Sequence, residues 1–276
     1  MTEIFFSSFA VVATMMVAVW LLSIPLKNVG LIDIVWGFGF VLVAWTGFLT
    51  AAIENPQWSH LLLPCLTTAW GLRLTAYLAC RNIGQPEDHR YAAMRARRGS
   101  AFVWSSLLRV FTLQAVILWI ISLPIQMSAA RPAPGDPCLI LTSAGIVFWT
   151  IGMFFETVGD YQLAAFKRQP DNKGRVMNRG LWKYTRHPNY FGDFCVWWGH
   201  WLVCMAVSDM SGTWWTVLSP ALMSFFLIRV SGVALLEKAM KKRAPEYEDY
   251  IRSTSSFLPW PPRMHTRTDS EAVPDP

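Results

Sequence analysis

Long apolar blocks separated by short polar connections constrain this chain more than any other feature of its sequence. Each block is about as long as a helix that crosses a hydrocarbon core of roughly 30 Å. Charged residues make up only 15% of the chain, against roughly 25% in an ordinary soluble domain, so a single soluble core has no place for so much apolar surface. The blocks run approximately from Ile4 to Ile24, Leu31 to Thr50, Ser59 to Cys80, Ala101 to Gln126, Leu139 to Phe155, Tyr190 to Ser208 and Thr213 to Leu235.

These blocks predict an all-α, polytopic membrane protein with about seven transmembrane helices. An isolated strand cannot satisfy its backbone in lipid, and the alternating pattern of a membrane barrel is not present in the sequence. The first block is too long for a secretory signal and has no basic segment before it, so we interpret it as a helix. We expect a single integral membrane domain over residues 1–262 and a disordered tail over 263–276.

Basic residues between the blocks predict the orientation of the chain, because cytoplasmic loops of membrane proteins are enriched in lysine and arginine. The connections after the third and fifth blocks and the segment after the seventh are rich in both. The connections on the other side, 51–58, 127–138 and 209–212, contain only Arg131 among their basic residues. Seven crossings therefore place the N-terminus outside and the C-terminus in the cytoplasm. This charge pattern indicates contact with anionic membrane lipids and no affinity for nucleic acid.

The stretch from Glu156 to Asp193 is the densest polar region of the chain and mixes carboxylates, cations and aromatic side chains. Glu156 and Asp160 are four residues apart and therefore share a helix face, and Asn189 and Asp193 repeat this spacing. Carboxylates at membrane depth are costly and usually serve a partner or a ligand. Two such pairs, backed by cations, suit a ligand that carries phosphates and a polar ring, such as a dinucleotide.

A structural interpretation of the same polar residues is that they form ion pairs which pin a long loop to the helix ends. No glycine-rich turn of the Rossmann type follows a strand, so a nucleotide site here has to be built between helices. The cysteines predict neither a metal site nor a disulfide framework, because their spacing fits neither; they are Cys65, Cys80, Cys138, Cys195 and Cys204.

Three later motifs are distinctive: the run GLWKYTRHPNYFGD from Gly180 to Asp193, the run RVSGVALLEK from Arg229 to Lys238, and YEDY from Tyr247 to Tyr250. Together they resemble the C-terminal domain of the steroid 5-alpha-reductase family, and most closely its bacterial branch of membrane proteins. The resemblance spans roughly residues 31–262. Further motifs typical of that branch are found here as Asp33 with Trp36, Trp70 to Arg73, and Glu87, Asp88, Arg90 and Tyr91.

The resemblance implies that NADPH is held between the later helices and their cytoplasmic loops, and that a lipid-like enone enters from the bilayer. The cofactor half is then about residues 139–262 and the substrate half about residues 1–127. Asp193 stands where the familiar reductases carry glutamate, Glu156 stands where they carry asparagine, and Arg229 matches an arginine of the last helix. With the polar residues of the neighbouring motifs, the expected cofactor ligands are Glu156, Asp160, Lys167, Arg175, Tyr184, Arg186, His187, Asn189, Asp193, Arg229 and Glu237.

The sequence departs from the family at the substrate end. The tyrosine that activates the ketone aligns near Trp70, which offers only an indole N–H, and the catalytic glutamate of the second helix corresponds only to Asp33. Reduction of an enone needs a hydrogen-bond donor for the enolate that develops on oxygen. The candidates are Asp33, protonated through burial, Tyr77 and Tyr91. Alternatively, Asp33 makes a capping or interhelical hydrogen bond, and the segment Glu87–Arg95 forms ion pairs that order a loop.

The RHPNY element also occurs in the isoprenylcysteine carboxyl methyltransferases, which bind S-adenosylmethionine where the reductases bind NADPH. Those enzymes place two glutamates three and four residues after the arginine of the last helix, where this chain has Gly232 and Val233. The sequence therefore favours an NADPH-dependent oxidoreductase acting on CH–CH groups over a methyltransferase or a non-enzymatic lipid-binding protein. The expected partners are a lipid-like substrate and membrane lipids, with no obligate protein partner. We expect the cofactor site to face the cytoplasm of a bacterial inner membrane.

Overall fold

The structure, a computed structural model, describes residues 1–51, 58–133, 135–230, 237 and 246–263. These residues are helical apart from turns, connections and two isolated bridges between extended residues. The all-α prediction is confirmed for this part of the chain. The main helices are α1 (Thr2–Leu26), α2 (Leu31–Ala51), α3 (Leu62–Asn82), α4 (His89–Arg98), α5 (Phe102–Ser106), α6 (Thr112–Ile121), α7 (Leu123–Ala130), α8 (Leu139–Arg168), α9 (Pro188–Val207), α10 (Met210–Thr213), α11 (Leu218–Phe225) and a C-terminal helix (Tyr247–Ser253).

Six helical stretches within the described residues are long and apolar enough to cross a membrane, which confirms the prediction of a multi-pass membrane protein. The α9 helix, in the predicted sixth block, is not among them because polar residues such as Asp193 and His200 lower its mean hydropathy. The count of seven and the orientation therefore stay predictions. The six stretches are Thr2–Leu26, Leu31–Ala51, Ser59–Asn82, His89–Ile121, Leu139–Arg168 and Met210–Val230.

Two predicted blocks differ from the helices that form. The fourth block, predicted as Ala101 to Gln126, contains a wide π turn at Leu107–Phe111 and a break at Ser122. Pro124 explains the break, since its ring disfavours helical backbone just before it. The fifth block was predicted to end at Phe155, but α8 continues to Arg168. Its later turns are polar and free of proline, so hydropathy alone placed the end too early.

The chain divides into two compact units. The first unit contains Met1–Thr150 and Val196–Met223, and the second contains Ile151–Cys195 and Ser224–Pro276. The α8 and α9 helices each contribute one part to each unit. The predicted disordered tail lies outside the described residues except for Arg263, as do residues 231–235 of the seventh block.

Close helix packing holds the first unit together. A Cβ atom added at Gly71 of α3 would lie 2.5 Å from the carbonyl oxygen of Gly37 in α2. Only glycine permits this approach, and small residues bring transmembrane helices together in the same way. Beside it, the rings of Phe40, Trp70 and Trp197 form a buried aromatic cluster with centroids 4.6–5.6 Å apart.

A test of orientation follows from the distribution of basic residues. A topology reporter fused after Pro276 should be active as a cytoplasmic fusion only, and one fused after Pro134 as an external fusion only. Reporter enzymes that are active on only one side of the membrane measure the location of each fusion point directly. Equal activity on the same side for both fusions would contradict the predicted number of crossings.

Candidate functional site

The acidic pair of α8 lies in the second unit. Glu156 and Asp160 sit one turn apart on the same helix face, and both are buried. Glu156 approaches α9 where that helix has no side chain, because a Cβ atom at Gly192 would lie 2.7 Å from the Glu156 side chain. The sequence thus places two carboxylates side by side and leaves room for one of them beside α9.

The start of α9 supplies the polar partner of this pair. Pro188 occupies the first helical position, where its missing N–H costs nothing. One residue later, Asn189 Nδ2 donates to Asp160 Oδ1 at 3.2 Å. Asp193 follows one turn further along α9 and is half-buried. The structure therefore joins one residue of each pair that the spacing indicated, Asn189 of α9 and Asp160 of α8. We call Glu156, Asp160 and Asn189 the acidic cluster.

Arg186 occupies a different position from the acidic cluster and makes a different set of contacts. Its Nε and Nη2 atoms donate to Glu237 Oε1 at 2.9 and 2.6 Å. Its Nη1 atom donates to the carbonyl oxygens of Ile251 and Thr254, at 3.1 and 2.5 Å. The guanidinium therefore joins Glu237 to the end of the C-terminal helix. For Arg186, the structure agrees with the structural interpretation, in which the polar residues form ion pairs that hold a loop in place.

His187 and Glu237 complete this arrangement, which we call the arginine latch together with Arg186. The His187 ring stacks on Tyr190, and its Nε2 atom lies 3.5 Å from Glu237 Oε1, at the limit of a hydrogen bond. Burial raises the pKa of Glu237, but His187 and Arg186 outweigh burial and hold the pKa below its usual value. Burial, assisted by the Glu237 charge, raises the pKa of Tyr247 to about 12.

The other predicted cofactor ligands lie at the surface of the second unit. Lys167 at the end of α8, Arg175 in the following loop and Arg229 in the π turn Phe226–Val230 are all exposed. Tyr184 is also exposed, and its carbonyl oxygen accepts a hydrogen bond from the Trp260 backbone at 2.9 Å. The cations are therefore accessible to a ligand, while the carboxylates are buried.

A second polar cluster lies in the first unit, around Asp33 at the start of α2. The Tyr91 hydroxyl donates to Asp33 Oδ1 at 3.3 Å, and an Arg90 nitrogen lies 4.0 Å from Asp33 Oδ2. Asp88 caps α4 by accepting from the Arg90 backbone N–H at 2.9 Å. Two of the three predicted catalytic residues, Asp33 and Tyr91, are therefore in contact.

Glu87 orders the loop beside this cluster. It accepts from the Val29 backbone N–H at 2.8 Å and from two nitrogens of Arg95 at 2.7 and 2.9 Å. Burial raises the pKa of Glu87, but these partners outweigh it and lower the pKa overall. The predicted loop-ordering ion pair is present.

The remaining catalytic candidate, Tyr77, has a cationic environment. The guanidinium groups of Arg73 and Arg81 lie 5.5 and 5.6 Å from its ring centre, a cation–π arrangement. Trp70, which aligns with the family tyrosine, is fully buried in the aromatic cluster of the first unit. These placements favour Tyr91 over Tyr77 as the partner of Asp33.

Sequence reasoning missed a buried histidine in the first unit. His200 of α9 is fully buried; its Nδ1 atom donates to the Val196 carbonyl at 2.8 Å, and its Nε2 atom lies 3.1 Å from the Thr67 hydroxyl. In the neutral ring Nδ1 carries the proton, so Nε2 accepts from Thr67. The sequence feature that could have indicated this contact is a histidine inside one apolar block and a threonine inside another.

The fold and these clusters define an all-helical, multi-pass membrane protein with buried acidic groups in one unit and a tyrosine–carboxylate pair in the other. The chain belongs to the family described as a protein of unknown function (DUF1295), which it matches over residues 19–254. That family includes steroid 5-alpha-reductase-like membrane proteins. The match therefore supports, over most of the chain, the resemblance to the steroid 5-alpha-reductase family that the sequence motifs indicated.

One curated relative has an enzymatic name. The chain is 34% identical over 72 residues to a probable O-methyltransferase, ustE, of Ustilaginoidea virens, and this match covers 25% of each protein. The chain thus spans about a quarter of the length of the curated relative it matches. No solved structure matches the chain.

Proposed function

We propose that this protein is a membrane-embedded, NADPH-dependent reductase of a carbon–carbon double bond conjugated to a ketone, acting on a steroid-like or isoprenoid lipid. The observation that carries the proposal is the acidic cluster of the second unit, in which Asn189 and Asp160 are hydrogen-bonded beside a buried Glu156. Buried carboxylates in a membrane protein are costly and usually serve a partner or a ligand.

The residues fit the chemistry of a dinucleotide. Carboxylate oxygens of Glu156 and Asp160 accept hydrogen bonds from ribose hydroxyls and from a carboxamide, and Asn189 can both donate and accept. The exposed cations Lys167 and Arg175 match phosphate. The arginine latch would support this site by holding the chain segment that leads into α9. The Arg186 guanidinium is already bonded to Glu237 and to two carbonyl oxygens, so we assign Arg186 a positioning role.

The tyrosine–carboxylate pair of the first unit fits the substrate chemistry. When bound, NADPH supplies a hydride to the β carbon of the enone, and negative charge then develops on the ketone oxygen. In the structure the single hydroxyl hydrogen of Tyr91 is donated to Asp33 Oδ1 at 3.3 Å. When the substrate binds, Tyr91 is proposed to turn this hydrogen from Asp33 to the ketone oxygen. Asp33 is proposed to hold the Tyr91 hydroxyl in position before the substrate binds, and an Arg90 nitrogen lies 4.0 Å from Asp33.

A second candidate function is S-adenosylmethionine-dependent methyl transfer. It is favoured by the likeness to the probable O-methyltransferase of Ustilaginoidea virens and by the shared RHPNY element. It is disfavoured by Gly232 and Val233, which stand where those enzymes carry two glutamates; both lie outside the described residues. The two functions differ in cofactor, so cofactor binding separates them.

Ligand-induced stabilisation is the test of the proposed function. NADPH should raise the melting temperature of the purified protein in detergent, and Asn189→Ala should weaken NADPH binding by about 1–3 kcal/mol, or roughly fivefold to 150-fold in Kd. The loss follows from removing a hydrogen bond in the buried acidic cluster. Thermal shift over a range of NADPH concentrations measures both effects.

Asn178→Ala is the matched control, because Asn178 is an exposed asparagine of the same unit. It should bind NADPH like the parent protein. Stabilisation of the parent by S-adenosylmethionine and not by NADPH would replace the reductase with the methyltransferase. Equal NADPH affinity in the parent and in Asn189→Ala would move the cofactor away from the acidic cluster.

A further inference from the structure

A cavity of about 370 Å³ lies in the second unit, beside the turn that follows the C-terminal helix. We call it the C-terminal cavity. None of its residues was singled out by sequence motifs as a ligand except Arg186. The lining consists of Arg186, Ile251, Arg252, Ser253, Thr254, Ser255, Ser256, Trp260, Pro261 and Arg263.

Hydrogen bonds to backbone carbonyl oxygens fix the two walls of this cavity. The Arg263 N–H donates to the Ser253 carbonyl at 2.9 Å, which joins the returning segment to the end of the C-terminal helix. The Arg186 N–H donates to the Ser255 carbonyl, also at 2.9 Å. The Thr185 hydroxyl donates to the Phe257 carbonyl at 2.8 Å. The cavity is therefore built by the fold, and its volume is in the range of small-molecule sites.

The lining is strongly cationic. Three of its residues are arginines, and no acidic residue occurs among the ten that line it. Arg186 is balanced by Glu237, whereas Arg252 and Arg263 are exposed. Serine hydroxyls and the Trp260 indole add further hydrogen-bond donors. Within the described residues neither Arg252 nor Arg263 forms an ion pair. Two such guanidinium groups beside hydroxyl donors form an environment that suits a phosphate, since the planar fork of arginine matches phosphate oxygens.

We propose that the C-terminal cavity binds a phosphate group of a small ligand through Arg252 and Arg263. Two sources present this chemistry, a nucleotide phosphate and the head group of an anionic phospholipid. Trp260 and Leu258, both exposed, are compatible with either source because an indole stacks on a base and also lies readily at a membrane surface. This inference is independent of the reductase, since it concerns phosphate binding and not turnover.

Binding measured on the full chain tests the proposal. The probes are inorganic phosphate, 2′-AMP compared with adenosine, and phosphatidic acid compared with phosphatidylcholine in nanodiscs. The parent should prefer the member that carries a terminal phosphate monoester, 2′-AMP or phosphatidic acid, in at least one pair. The double variant Arg252→Ala with Arg263→Ala should bind that member roughly tenfold or more weakly, because two charge-assisted contacts are lost.

The control is the double variant Arg97→Ala with Arg98→Ala, which removes two exposed arginines from α4 in the first unit. Its affinity should stay within about twofold of the parent. A loss confined to 2′-AMP identifies a nucleotide, and a loss confined to phosphatidic acid identifies a lipid; either supports the site. No phosphate preference in the parent, or equal weakening in both double variants, would overturn the proposal. Failure of NADPH binding in Asn189→Ala leaves this result unaffected.

Discussion

Replacing Glu237 with alanine is expected to lower the local free energy of unfolding at the C-terminal helix by about 3 kcal/mol, the cost of leaving a buried charge without its partner. Arg186 has only 7% of its side chain exposed, and two of its nitrogens donate to Glu237 Oε1. Without the carboxylate, the guanidinium keeps, among the described residues, the carbonyl oxygens of Ile251 and Thr254 and the Tyr247 side chain. Hydrogen exchange over Tyr247–Ser253 measures the effect as a loss of protection.

Glu248→Ala is the matched control, because Glu248 is an exposed carboxylate on the same helix. Its effect should stay within about 0.5 kcal/mol. Unchanged protection in Glu237→Ala would mean that the arginine latch does not hold the C-terminal helix.

The contact between Arg186 and Glu237 also predicts that the C-terminal helix loses stability in acid. The pKa of Glu237 is lowered in the folded protein from its usual 4.5, so its stabilising effect is present in full above the unfolded-state pKa. It is lost as the pH falls through the lower, folded-state pKa. Protection of Tyr247–Ser253 in the parent should therefore decline below about pH 4.5. In Glu237→Ala this part of the pH dependence should be absent.

Replacing Tyr91 with phenylalanine is expected to lower turnover of an accepted enone by about a hundredfold or more while leaving NADPH affinity unchanged. The substitution keeps the ring and removes only the hydroxyl that donates to Asp33. A donor to the developing oxyanion acts mainly in the transition state, so its loss lowers kcat more than it affects binding. NADPH oxidation with 3-oxo-4-ene steroids and polyprenyl enones is the assay.

Tyr77→Phe is the control for this prediction. The Tyr77 ring faces the guanidinium groups of Arg73 and Arg81, and the phenylalanine ring keeps these cation–π contacts, so we expect turnover at the parental rate. Asp33→Asn should fall in rate together with Tyr91→Phe, because an amide orients the phenol differently from a carboxylate. A parental rate in both Asp33→Asn and Tyr91→Phe would make this pair structural. A rate loss in Tyr77→Phe alone would transfer the donor role to Tyr77.

Local spacing predicted part of the candidate site. Residues four apart in a helix share a face, and this rule alone placed Glu156 beside Asp160 on α8. The apolar pattern did not predict that α8 continues to Arg168, because it ends at Phe155 while the polar residues that follow still form helix. The role of Arg186 was also beyond local reasoning, since its partners Glu237 and Thr254 are 51 and 68 residues away in the chain.

The sequence by itself determined the all-α class and the membrane setting, because apolar length and backbone satisfaction in lipid depend only on consecutive residues. Contacts between distant segments were decided only by the tertiary structure. Tyr91 meets Asp33 across 58 residues, and the C-terminal cavity forms because the chain after Ser253 folds back to Tyr184 and Arg186. Such contacts arise from packing of whole helices and turns, and no periodicity within a single segment encodes them.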